Sequence, residues 1–119
     1  MPNWIPIREI EDVRILDEMS KGKPCLIYKH STRCSISSLA KTRLEKGWEL
    51  SDEDVSVYYL DLITYRGVSN YIAEHYGVQH ESPQVLLIKN GQCLYHQSHL
   101  GISAREITHF IRESFVRTV

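Results

Sequence analysis

The sequence predicts an α/β domain with a central mixed sheet of four to five strands and helices on both faces, and three observations carry that prediction. Short apolar runs of strand length alternate with stretches whose apolar residues recur every three or four positions. Asn90-Gly91 lies between two strand-like runs, a strong hairpin signal, so the last two strands should be antiparallel. No linker, repeat or low-complexity tract divides the 119 residues, and 42% of them are hydrophobic. That is enough for one core, so residues 1–119 are expected to form a single domain.

Each element has its own local reason. "WIPI" (4–7) opens a short strand that Pro6 restricts to a sheet edge, and residues 11–20 carry Val13, Leu16 and Met19 at helical spacing until Lys21-Gly22-Lys23-Pro24 stops them. "CLIYKH" (25–30) is an apolar run between Pro24 and polar Ser31-Thr32, as expected of a buried central strand. From Ser35 to Lys46, Ile36, Leu39, Ala40 and Leu44 define a helix that Gly47 ends. "VSVYYLDL" (55–62) is β-branched and aromatic, and it leads to a helix bearing Val68, Tyr71, Ile72 and Tyr76 before Gly77. The hairpin strands occupy "QVLLIKNGQCLYHQ" (84–97). Ser103 and Glu106 then form a capping-box pattern for a last helix with Ile107, Phe110, Ile111 and Ser114 on one face. The order β-α-β-α-β-α-β-β-α is a thioredoxin-like plan.

Charge and cysteine usage exclude several function classes. Fourteen Lys and Arg nearly balance fifteen Asp and Glu without long blocks of one sign, which argues against nucleic acid and against a polybasic membrane binder. No apolar stretch approaches the roughly 20 residues needed to cross a bilayer, and the start lacks the basic and apolar regions of a signal peptide, so a soluble cytoplasmic protein is expected. Cys25, Cys34 and Cys93 form neither an even set nor a CxxC pair. A disulfide framework or thiolate metal site is therefore not expected. The six histidines, His30, His75, His80, His96, His99 and His109, are scattered and lack metal-site spacing.

The segment "HSTRCSIS" (30–37) places Cys34 where a strand ends and a helix begins. It resembles the HST-x-C-P-[IV]-S motif of the YtxJ-type monothiol bacilliredoxins, and "SPQVLLIKNGQ" (82–92) is similar to the thioredoxin segment in which a proline precedes the hairpin and faces the active cysteine. The similarity extends over nearly the whole chain. It implies that Pro83 follows a cis bond from Ser82 and that the two bind an extended substrate over Cys34. It also implies that the small thiol exchanged is bacillithiol, as cosubstrate and not as a tightly bound cofactor, and that the partners are S-thiolated proteins. Ser35 departs from the family pattern, in which proline follows the cysteine; serine restores a backbone N–H close to the sulfur.

The residues also argue for thiol chemistry on their own account. A thiol attacks as its thiolate, and an ordinary cysteine is mostly protonated at neutral pH. A helix N-terminus supplies about half a positive charge and unpaired N–H groups at the sulfur. Arg33 and His30 add local positive potential, and Thr32, Ser35, Ile36 and Ser37 complete the supporting turn. Ser31 and Thr32 are alternatively helix caps. Ser37 stands where a dithiol enzyme has its resolving cysteine: its hydroxyl is able to donate to the thiolate but not to form a disulfide. Cys25 begins the strand whose far end delivers Cys34, about 16 Å away at about 3.3 Å per residue, far beyond disulfide reach. Cys93 lies just past the hairpin turn, remote from the expected active end.

Two other readings remain open at this level. One is a non-catalytic thioredoxin-like module in which oxidation of Cys34 changes protein binding; the other is a glutaredoxin-like protein that uses glutathione or holds an iron–sulfur cluster through Cys34.

Overall fold

The computed structural model describes residues 1–115. Its sheet contains β1 (Ile5–Pro6), β2 (Cys25–His30), β3 (Ser56–Asp61), β4 (Gln84–Lys89) and β5 (Gln92–Ser98), in spatial order β1-β3-β2-β4-β5. The first three run parallel, while β4 is antiparallel to β2 and β5 antiparallel to β4. The helices are α1 (Ile10–Met19), α2 (Ser35–Lys46), α3 (Arg66–Tyr76) and α4 (Ala104–Ser114), with a 3₁₀ turn at His99–Gly101 before the last.

The two-residue side-chain alternation of the strands builds two cores from one sheet. Leu26, Tyr28, Val57, Val85 and Leu87 face one side and pack against Leu44 of α2 and Ile107 and Ile111 of α4. Cys25, Ile27, Tyr58, Leu60, Leu86 and Ile88 face the other and pack against Val13 and Leu16 of α1 and Val68 and Ile72 of α3. All six residues of β2 are buried, as expected for a strand covered on both faces. β1 lies at the edge that Pro6 requires, pairing Ile5 and Pro6 with Tyr58 and Tyr59.

Local chemistry sets the boundaries. The Asp12 carboxylate accepts from the N–H groups of Arg8 and Glu9, so α1 begins one residue earlier than its apolar spacing suggests. Asn90 and Gly91 both have positive φ, 53° and 71°, as a two-residue hairpin turn requires. Gly77 ends α3 in the left-handed region at φ 67°. At α4 the Ser103 hydroxyl accepts from the Glu106 N–H.

Helical spacing misidentifies part of three buried faces. Ile36, Leu39 and Met19 are exposed, whereas α2 buries Ser37, Ala40 and Leu44. In α4, Thr108 is buried and Ser114 is exposed.

Candidate active site

β2 carries the chain to the sheet's C-terminal edge, where a turn of four residues, 31–34, reverses it into α2. Cys34 is the N-cap of α2, with extended φ and ψ of −113° and 118°. Its own N–H donates to the Ser31 carbonyl at 3.2 Å, and its carbonyl accepts from the Ser38 N–H, the first bond of the helix. No side chain caps this helix, so neither Ser31 nor Thr32 takes the capping role its composition offered. The half-buried Cys34 therefore occupies the N-cap of a helix whose first-turn N–H groups no side-chain oxygen occupies. Among them is the Ser35 N–H, which a proline would have removed.

Thr32, Arg33, Ser35 and Ile36 are all exposed around this turn. Ser37 is completely buried. Its Oγ accepts from the Ser31 N–H at 3.1 Å and lies 2.7 Å from His30 Nδ1, while its carbonyl accepts from the Tyr28 hydroxyl at 2.8 Å. The structure thus gives this hydroxyl two partners in the cysteine turn and records no bond from it to Cys34. With the imidazole proton on Nε2, the Ser37 hydrogen points to His30; with it on Nδ1, that hydrogen is released for another acceptor.

His30 is nearly buried between the rings of Tyr28 and Tyr59. Burial pushes its pKa down, the Lys41 ammonium pushes in the same direction, and Asp61 and Glu45 oppose both. It is therefore a neutral imidazole at neutral pH and adds no fixed positive charge to the turn. Lys41 is held by Glu45 at 3.0 Å and lies over the rings of Trp4 and Tyr59. Asp61 is committed to the following loop, accepting from the N–H groups of Ile63 and Thr64 and from the Thr64 hydroxyl.

The segment before β4 reaches the same end of the sheet. Lys29 of β2 pairs with Gln84, so Pro83 and Ser82 continue past the strand end at which His30 leads into the cysteine turn. The Ser82-Pro83 bond is cis, as expected from the sequence. Pro83 is buried and its carbonyl accepts from the His99 N–H. Ser82 is half-buried, and its Oγ has no hydrogen-bond partner.

The remaining cysteines lie in different surroundings. Cys25 is fully buried at the opposite end of β2, its Sγ facing the Leu16 and Lys23 carbonyls, and burial pushes its thiol up to about 11. Cys93 is half-buried with Sγ 3.3 Å from the Tyr95 carbonyl, and burial raises its pKa too. Cys25 and Cys93 flank Ile88 in adjacent registers, two strand spacings or about 9.5 Å apart and beyond disulfide reach. All three cysteines are free. Among the described residues no group of three or more His, Cys, Asp or Glu side chains is arranged to hold a metal ion, and no helix is long and apolar enough to cross a membrane.

The sequence placed Cys34 at the strand-to-helix junction and a cis bond at Ser82-Pro83, both as observed, but gave no sign of the Tyr28–Ser37 bond or of the Ser37–His30 contact. A histidine seven positions before a serine is no recognisable motif; only the reversal of the chain at residues 31–34 brings them together.

The comparisons with known proteins agree with this geometry. Among solved structures, a thioredoxin-fold protein described as an oxidoreductase is 30% identical, with a TM-score of 0.77 over 89% of this chain and 91% of its own. Fasciola hepatica thioredoxin is 18% identical, with a TM-score of 0.67 over 95% of this chain and 98% of its own. Chlamydomonas reinhardtii thioredoxin f2 is 13% identical, with a TM-score of 0.71 over 98% and 100%. The latter two establish the thioredoxin fold alone. Residues 5–107 match the family described as "Monothiol bacilliredoxin BrxC", and with most of its length inside that match, a thioredoxin fold and a lone cysteine at the start of α2, the chain belongs to the monothiol bacilliredoxin family.

Proposed function

We propose that the protein is a monothiol disulfide reductase that removes bacillithiol from S-thiolated cytoplasmic proteins, with Cys34 as nucleophile. The Cys34 thiolate attacks the bacillithiol sulfur of the mixed disulfide. A new S–S bond forms on Cys34, the old one breaks, and the client leaves as a thiolate that takes a proton from water. A second bacillithiol thiolate then attacks the bacillithiol sulfur held on Cys34, giving bacillithiol disulfide and restoring the Cys34 thiolate. Electrons and protons balance across the two exchanges without a metal or bound cofactor.

The observation that carries this reading is the isolation of Cys34 at an uncapped helix start, with Ser37 where an internal thiol would stand and Cys25 at the far end of β2. An adduct on Cys34 has no neighbouring sulfur to displace it, so an external thiol must complete the cycle. The half-buried Ser82, with its unpartnered hydroxyl, supports the reading that an extended client docks along the edge before β4. Thr32, Arg33, Ser35 and Ile36 form the exposed rim of the cysteine turn.

The test is intact-mass analysis of the protein after reaction with model proteins thiolated by bacillithiol, glutathione, cysteine or coenzyme A. The expected result is a bacillithiol adduct that forms fastest, is absent in Cys34→Ser and is cleared by free bacillithiol. Faster reaction with glutathione would replace the cosubstrate, and absence of any Cys34 adduct would replace the enzyme with a binding module.

A further inference from the structure

Directly before His30, Lys29 leaves β2 on the opposite face. Its side chain is completely buried, and its Nζ donates to the Ser69 carbonyl of α3 at 3.1 Å and lies 3.3 Å from His80 Nδ1. The Ser69 hydroxyl is also 3.3 Å from that nitrogen. Lys29 has no carboxylate within ion-pair distance among the described residues. Because an ammonium only donates, His80 Nδ1 is the acceptor and the imidazole proton rests on Nε2.

Burying an unpaired ammonium is costly, and an apolar side chain of similar length packs in such a place without that cost. What Lys29 adds is direction. His80 is three residues before Pro83, in the segment between α3 and β4. Gln84, the cross-strand neighbour of Lys29, donates from Nε2 to the Gln79 carbonyl at 2.9 Å. Pro83 is fixed through its carbonyl by His99. The segment is thus held at Gln79, His80 and Pro83, and Ser82 lies between the last two attachments.

We propose that Lys29 and His80 form a strap that positions the Ser82-Pro83 edge opposite Cys34, making them positioning residues for extended protein disulfides but not for small ones. The inference rests on the reading of that edge as the docking site for a client. Lys29 and His30 would then organise the two sides of the site from adjacent positions of one strand, one tying down the client edge and the other the cysteine turn.

The strap is tested by following nitrothiobenzoate release in single turnovers by wild type, Lys29→Met, His80→Leu and His80→Asn. Two substrates carry the same leaving group: dithiobisnitrobenzoate, and an extended peptide whose cysteine forms a mixed disulfide with nitrothiobenzoate, in which Cys34 attacks the peptide sulfur, so that the assay reads docking of the peptide and not the direction of client release. Lys29→Met and His80→Leu should raise the apparent KM for the peptide on the order of ten- to a hundredfold and leave the small disulfide within about twofold of wild type. His80→Asn, whose amide oxygen takes the acceptor position of Nδ1, should restore peptide reactivity. His80 lies on the surface, so its variants report even if Lys29→Met does not fold. Equal slowing of both substrates, or an unchanged peptide KM in His80→Leu, would overturn the strap. If the variants show the split but wild type leaves bacillithiolated proteins untouched, the bacillithiol assignment falls and the strap stands.

Discussion

The Ser37 hydroxyl lies 2.7 Å from His30 Nδ1 and closes the turn that presents Cys34, because it also accepts from the Ser31 N–H at 3.1 Å. A position that carries the second sulfur in a dithiol enzyme has here become a buried polar brace. Ser37→Ala leaves the Ser31 N–H without this partner and should cost about 1–3 kcal/mol in a urea titration.

Ser37→Cys makes the opposite prediction. Residues three apart at a helix start are side-chain neighbours, and the new thiol faces the same turn as Cys34. On reaction with a small disulfide the variant should lose a pair of hydrogens as an internal disulfide and release both small thiols, whereas wild type holds the adduct. Intact mass and free-thiol counting separate the two; an adduct as long-lived in Ser37→Cys as in wild type would mean that the two positions do not meet.

The difference between what the sequence discloses and what it hides follows from the kind of interaction. The hairpin was legible because Asn90-Gly91 encodes its own backbone geometry, and β2 because a strand buried on both faces needs a run that is apolar over most of its length, as Cys25–Tyr28 is. The buried face of α2 was not. Apolar spacing favours Ile36 and Leu39, yet both are exposed while Ser37 is buried, since its hydroxyl finds donors and acceptors in a turn that exists only after folding. Lys29 was hidden for the same reason: inside "CLIYKH" it reads as an interruption, and only α3 and the segment before β4 supply its partners. Cys34 was legible because its chemistry depends on a strand-to-helix junction, which is a local feature.

His30 contributes to the acid sensitivity of the fold. Burial and Lys41 depress its folded pKa below the ordinary value of 6.5. Between the two values the unfolded chain binds more protons, so this contribution is complete above about pH 6.5 and is lost as pH falls toward the folded pKa. His30→Asn keeps an acceptor near the place of Nδ1 and cannot titrate. Urea midpoints between about pH 7.5 and about pH 5 should fall more steeply for wild type than for His30→Asn. His80, whose pKa burial also lowers, is present in both proteins and drops out of the comparison. Parallel profiles would show that His30 takes up its proton in the folded state as readily as in the unfolded one.

Lys29 makes the converse prediction on the alkaline side. Burial lowers its pKa from 10.5 to about 8. Below about 8 the folded state bears the full cost of an ammonium in the interior; between about 8 and 10.5 the unfolded chain holds the proton that the folded one has released, so stability rises with pH. Cys25 acts in the opposite sense, because burial raises its pKa from 9.0 to about 11 and its contribution is lost as pH climbs through that range. Measured alone, wild type mixes the two. The difference between wild type and Lys29→Met isolates the lysine, since Cys25 is common to both. Wild type should gain on the variant as pH rises from about 8 to about 10, read as converging or crossing urea midpoints. A constant difference over that range would mean that Lys29 keeps its ordinary affinity for the proton, and hence that its ammonium is solvated and not held between Ser69 and His80.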